Sequence, residues 1–330
     1  MILKILYLVS KDYHDTKMSR VRFHSMKAIG KINSVSYYGP GWEGWDENKP
    51  CQENIDAYEK KTNMEEGFDL VIGFKPLDMK GFKDITYPKC LRYNEMFDKD
   101  WTIKEIVRSG ADIVICHHYN DYVEYATLFG KIKGPKPIHF DFIPHSAEKT
   151  IFKPNTDPKL YDVIIVGATN VQTMLGEHYP LRARMVKLIE QLPKKYKTKI
   201  ITHAGGNHSD SYTDKYAKEF ADVINSSKIV ITDCGAPKSR FGKYIEIPAC
   251  GTSIAGDVYE DVPGDIEMLK EFLIEINMEM DDYEILEKLV YYLENEEARL
   301  DKVEAGLLYA SEYTHEKYAE RFMEVMSDKI

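Results

Sequence analysis

The residues best suited to chemistry lie together in one segment, Lys238 to Asp257, KSRFGKYIEIPACGTSIAGD. Lys238, Arg240 and Lys243 lead into a short helix predicted over residues 242–248. Cations at a helix N-terminus favour a phosphate or diphosphate. Glu246 stands one turn into that helix, flanked by Tyr244, Ile245 and Ile247. A carboxylate in apolar company needs partners; a pair of ribose hydroxyls would serve, and so would an ion pair with Arg240 or Lys243. Other chemistries are poorly supplied. No GxGxxG follows a strand, since Gly167 stands alone and Gly205-Gly206 lacks the third glycine, and no GxxxxGK[ST], HExxH or GxSxG occurs. Tyr13, Trp42 and Trp45 offer flat apolar faces for a sugar, or for packing.

The elements that must position these residues alternate between buried strands and helices. Strands are predicted over residues 2–9, 34–38, 68–74, 90–93, 111–116 and 137–142, and helices over 21–29, 103–108 and 121–129. A polar stretch over residues 143–158 carries Pro144, Pro154 and Pro158 and reads as a linker. The pattern then restarts, with strands over 161–166, 198–202, 228–232 and 252–255, helices over 181–192 and 214–224, and mostly helix from 266 to 330. The fold class is therefore α/β, two Rossmann-like parallel-sheet domains facing a cleft. The N-terminal domain spans 1–150, the C-terminal domain 151–310, and a last helix covers 311–330. Ligands of open parallel sheets bind beyond the carboxyl ends of the strands, so the loops after Val9, Cys116, Val166, Thr202 and Thr232 should face the cleft. These loops carry His14 and Asp15, His117, Gly167 and His203.

The 330 residues carry a net charge of −10 with a pI near 5.6, which argues against large nucleic acids as partners. The five cysteines, Cys51, Cys90, Cys116, Cys234 and Cys250, form no CxxC pair, so a disulfide framework or zinc site is not expected and a reducing, cytoplasmic location is. The opening MILKILYLVS is broken by Lys4 and reads as a strand rather than a signal peptide, and no run approaches the ~20 apolar residues that span a bilayer.

Four segments in order resemble the GT-B glycosyltransferases of the family 1/4-like and CgeB-like group. Tyr244-Ile245-Glu246-Ile247-Pro248-Ala249-Cys250-Gly251 is similar to their F-E-x-x-A-C-G donor signature. Val166-Gly167-Ala168 with His178-Tyr179-Pro180-Leu181-Arg182-Ala183-Arg184 resembles the opening of their second domain. Ile143-Pro144-His145-Ser146 with Ile151-Phe152-Lys153-Pro154 resembles the interdomain linker, and Tyr313 to Arg321 the final helix, which crosses back onto the first domain. The resemblance implies transfer of a sugar from a UDP- or GDP-linked donor to an acceptor hydroxyl on a glycan, glycoprotein or small molecule, with no metal ion and no cofactor. It implies that Glu246 holds the donor ribose, that Arg240 and Lys243 neutralise the diphosphate, that Gly251 and Thr252 lie close to it, and that Arg182 or Arg184 reaches the phosphates. Gly167 and Tyr244 join that donor set, and His203 lies near the base. His117 falls where relatives carry a histidine near the transferred sugar, and His14 with Asp15 where inverting members carry a base. One departure stands out: retaining members often have a second glutamate eight residues before the first, and that position is Lys238. A non-catalytic nucleotide-sugar or glycan-binding protein and a GT-B epimerase are the competing expectations. A Rossmann oxidoreductase is disfavoured by the missing glycine fingerprint.

Overall fold

A computed structural model of the chain describes residues 2–96, 98–131, 136–169, 172–173, 176–201, 214–260, 262 and 264–330. The chain forms two compact units, Met1–Pro144 with Glu316–Ile330, and His145–His315.

The first unit alternates strand and helix: β1 (Lys4–Leu8), α1 (Arg20–Ile32), β2 (Ser34–Tyr38), α2 (Cys51–Thr62), β3 (Leu70–Gly73), β4 (Lys89–Tyr93), α3 (Lys99–Ser109), β5 (Ile113–Cys116), α4 (Tyr119–Lys131) and β6 (His139–Phe142). All pairings are parallel, in the order β2-β1-β3-β4-β5-β6. The central strands are apolar on both faces because both are covered. Ile5, Tyr7, Ile72 and Ile115 face a core that includes Met26 and Ile29 of α1. Leu6, Leu8, Val71 and Val114 face the other way, onto Ile55, Ile106 and Tyr125. Ser19 caps α1 by accepting from the Arg22 backbone N–H, and Asp98 caps α3 through Trp101.

The second unit has β7 (Tyr161–Val166), a short hairpin of β8 (Gln172–Thr173) and β9 (Gly176–Glu177), α5 (Pro180–Leu188), β10 (Thr198–Ile201), α6 (Asp214–Asn225), β11 (Ser227–Ile231), α7 (Lys243–Ala249), β12 (Ser253–Gly256), α8 (Ile266–Phe272), β13 (Leu273–Glu275), α9 (Asp282–Glu294) and α10 (Glu296–Ser311). Its main sheet is parallel in the order β10-β7-β11-β12-β13. Pro180 takes the first helical position of α5, where its missing N–H costs nothing. Gly306 lets α10 press on α7, since a Cβ there would stand 2.9 Å from the Pro248 Cβ.

The last helix, α11 (His315–Ser327), puts Tyr318, Ala319, Phe322 and Met326 into the core of the first unit, so the chain's end completes the domain that its beginning starts. Three features differ from the sequence reading. The β8–β9 hairpin and α2 have no counterpart in it; in α2 only Cys51, Asn54 and Ile55 are buried, and five of its twelve residues are charged. β13 sits inside a stretch read as helix: three residues, Leu273 to Glu275, leave α8 and join the sheet beside β12.

Candidate donor site and a second strand-end cluster

In each sheet the strand order reverses at one place, between β1 and β3 in the first and between β7 and β11 in the second. Loops leaving such a switch point diverge and open a crevice beyond the strand ends.

In the second unit the switch point is marked by Gly167, directly after β7, with φ +112. A Cβ there would overlap Arg182 Nη1 and lie 3.2 Å from Lys243 Cε. Bare backbone, a guanidinium and a lysine stem therefore meet at the end of β7, and only glycine fits between them. Arg182 is 1% exposed. Its Nε and Nη2 donate to Asp233 Oδ1 at 3.0 and 2.6 Å, its Nη1 donates to the Ala168 carbonyl at 3.0 Å, and its plane lies 3.9 Å from the Tyr179 ring centre. Asp233, just beyond β11, also accepts from the Arg182 backbone N–H at 3.1 Å. Arg182 thus ties the two loops of the switch point together, and all three of its nitrogens are engaged by protein. Arg184 is likewise occupied, with Asp282 Oδ1 at 2.6 Å and the Met280 carbonyl at 2.8 Å.

Glu246 lies one turn into α7 and is 1% exposed. Its neighbour Tyr244 is an anchor: its hydroxyl donates to Asp257 Oδ1 at 2.8 Å, while the Cys234 backbone N–H donates to the same oxygen at 2.7 Å. Burial raises the Asp257 carboxyl to about 6 and pushes the Tyr244 phenol well above its usual range. Arg240 is buried in an ion pair with Asp265 Oδ2 at 2.8 Å and donates to the Tyr309 hydroxyl at 2.6 Å. Gly251, at φ +63, closes α7 against Pro154, and the Thr252 hydroxyl donates to the Ile224 carbonyl at 3.2 Å. Of the donor residues read from sequence, the structure brings Gly167, Arg182 and Lys243 into one place. Arg240 is held by Asp265 and Tyr309, Tyr244 by Asp257 and Thr252 by the Ile224 carbonyl, while Gly251 packs on Pro154. His203 lies outside the described residues.

Sequence reasoning missed Asp233 and Asp257. Each is an acid within two residues of the end of a buried parallel strand, and that placement was the available signal.

In the first unit the polar loop after β1 turns back as residues Tyr13–Lys17. His14 Nδ1 lies 2.8 Å from Asp15 Oδ1, and its ring packs 4.7 Å from Tyr37 and 5.4 Å from Trp42. Tyr13 stacks on Phe74, which follows β3, with centroids 4.1 Å apart. Trp42 donates its indole N–H to the Val9 carbonyl, and Trp45 packs edge-on to Tyr38. His117 is buried, with Nδ1 2.7 Å from the Ile143 carbonyl. A carbonyl only accepts, so Nδ1 carries the proton. Burial, reinforced by Arg92, holds the ring well below the usual histidine range, so it is neutral with its lone pair on Nε2. That tautomer makes Nε2 a hydrogen-bond acceptor, while the same burial and Arg92 work against its becoming a cation.

All five cysteines are buried and unpaired. Among the described residues no group of acids, histidines or cysteines has the arrangement of a metal site, and no helix is long and apolar enough to cross a membrane.

Two separate sheets with these switch points and a returning C-terminal helix define the GT-B class of fold, and solved structures agree along the whole chain. Sucrose-phosphate synthase from Thermosynechococcus elongatus matches with a TM-score of 0.60 at 12% identity, covering 99% of this chain and 98% of its own. HepE of Anabaena, solved with UDP and glucose, matches at 0.62 and 10% identity over 98% and 99%. An alpha-glucosyltransferase solved with UDP-glucose and DNA containing an abasic site matches at 0.60 and 10% identity, over 99% of each chain. No family model and no curated protein sequence matches the chain.

Proposed function

We propose that this protein is a glycosyltransferase that moves a hexose from a nucleoside diphosphate sugar, UDP-linked before GDP-linked, to an acceptor hydroxyl. The observation that carries this is the switch point at the end of β7, where the bare backbone of Gly167 lies against Arg182 and Lys243. Similar structures were solved with UDP or UDP-glucose, which favours the same donor class here. In the proposed reaction the Lys243 ammonium and the backbone N–H groups around Gly167 meet the negative charge that develops on the departing diphosphate, and no metal ion is needed. Glu246 orients the donor through its ribose. The acceptor is taken by the first unit, with His117 Nε2, or the His14–Asp15 pair, receiving the hydroxyl proton. A net charge of −10 points to a glycan, glycoprotein or small-molecule acceptor rather than nucleic acid. Five free thiols suit a reducing, cytoplasmic compartment.

A second reading, nucleotide-sugar binding without turnover, draws on Lys238. It occupies the position of the second glutamate of retaining relatives, and its ammonium lies 5.2 Å from the Tyr259 ring centre.

The test is calorimetric titration of UDP, GDP and ADP, followed by incubation with UDP-glucose and detection of released UDP with and without EDTA. UDP should bind, and Glu246→Gln should weaken it at least tenfold with an unchanged melting temperature of the free protein. UDP release that persists in EDTA supports metal-independent transfer. Binding without release supports the second reading. Equal UDP affinity in wild type and Glu246→Gln would remove Glu246 from the site.

A further inference from the structure

Near the carboxyl end of β4 in the first unit two arginines meet, the guanidinium of Arg22 reaching the backbone carbonyl of Arg92. Arg92, near the end of β4, is 6% exposed. Its Nε donates to the Tyr318 hydroxyl at 3.0 Å and its Nη2 to Ser25 Oγ at 2.7 Å, while its buried Nη1 has no partner among the described residues. Arg22 lies one turn before Ser25 on α1 and is half-buried. Its guanidinium sits 4.3 Å over the Phe74 ring, and its Nη2 donates to the Arg92 carbonyl at 3.2 Å. Among the described residues neither guanidinium is in an ion pair.

Glu105 accepts from the Tyr93 hydroxyl at 2.6 Å; burial pushes its carboxyl up, while Arg22 pulls it down from outside ion-pair distance. His117, which both arginines disfavour as a cation, is neutral. Burying a guanidinium without a counter-charge is destabilising, and its planar fork matches a carboxylate or phosphate. Beside the pair, Tyr13 and Phe74 stack at the switch point between β1 and β3, the place where a parallel sheet opens to a ligand.

We propose that the acceptor bound by the first unit is a sugar or polyol carrying a compact oxyanion, phosphate or carboxylate, held by Arg22 and Arg92. The word acceptor rests on the transferase function proposed above; the anion site stands on the geometry of the first unit alone.

The experiment is calorimetric titration of the full chain with inorganic phosphate, glucose 6-phosphate, glucuronate and glucose, in wild type and in Arg22→Gln, with UDP as the control ligand. At least one oxyanion probe should bind wild type, and its Kd should rise tenfold or more in Arg22→Gln while the UDP Kd stays the same. Preference for glucose 6-phosphate over glucuronate assigns a phosphate, and the reverse a carboxylate. The proposal is overturned if no oxyanion probe shows Arg22-dependent binding, or if glucose binds as tightly as its charged forms. Should Arg22→Gln lose UDP binding and helicity, Arg22→Lys, which keeps the charge and loses the fork, takes its place, with a threefold rise in Kd as the threshold. If UDP does not bind wild type and the anion effect stands, the transferase function falls and the anion site remains. If UDP binds and the anion effect is missing, only this inference falls.

Discussion

At Gly167 the missing side chain is what the site is built around. A methyl group there would displace Arg182 Nη1, and φ +112 is strained for any L side chain. Gly167→Ala is therefore expected to cost about 1–3 kcal/mol of stability and to weaken UDP binding several-fold. Urea denaturation and calorimetry read the two effects, and unchanged UDP affinity would detach this loop from the donor. The Arg182–Asp233 pair makes a larger demand. Both partners are buried, so Asp233→Ala would leave a guanidinium without its counter-charge, at a cost of about 3–5 kcal/mol. A loss below about 1 kcal/mol in denaturant would mean that the cation finds another partner. Glu246 and Lys243 could be proposed from the sequence because a carboxylate and a cation flank an apolar helical turn there. Asp233 was not, because its meaning depends on Arg182, 51 residues earlier in the chain. The same holds for Arg92, whose partners Ser25 and Tyr318 lie 67 and 226 residues away.

At the scale of elements, α7 carries Lys243 and Glu246 and is pinned to the end of β12 by the Tyr244–Asp257 hydrogen bond. Burial raises the Asp257 carboxyl from 3.8 to about 6. A raised acid binds its proton more tightly in the folded state. The stability this gives is full below pH 3.8 and is lost as pH rises through about 6. At pH 8 the buried carboxylate therefore costs on the order of 3 kcal/mol relative to its protonated form. Asp257→Asn keeps a carbonyl oxygen for Tyr244 and Cys234 and cannot ionise. Its melting temperature relative to wild type should rise between pH 5 and pH 8, and a difference that stays flat with pH would show that the carboxylate is relieved in some other way. Most elements were legible, since strands such as β7 and β5 carry apolar runs, VIIV and IVIC, followed by glycine and histidine. α2 was hidden because only Cys51, Asn54 and Ile55 of its twelve residues enter the core, too few to set a helical period. β13 was hidden because its three residues continue the apolar run of α8, and only pairing with β12 turns them into a strand.

At the scale of the whole molecule, each unit encloses its own sheet between two apolar layers, and the layers of one unit contain no residue of the other's sheet. Units with separate cores unfold as separate cooperative blocks when their cores carry most of the stability. Calorimetric melting is therefore expected to show two transitions. UDP at one hundred times its Kd would stabilise the unit that binds it by about 2.7 kcal/mol and leave the other transition in place. The helix α11 provides the converse handle. Tyr318, Phe322 and Met326 are buried in the core of the first unit, where side chains of this kind contribute about 1.5–3 kcal/mol each. Phe322→Ala should lower the transition that UDP does not move, by about 3–5 kcal/mol, although the residue is 249 positions beyond the last residue of β3 in sequence (322 against Gly73). A single transition raised by UDP and lowered by Phe322→Ala alike would show that the two units unfold as one, and that the chain's double crossing couples them more strongly than their separate cores require.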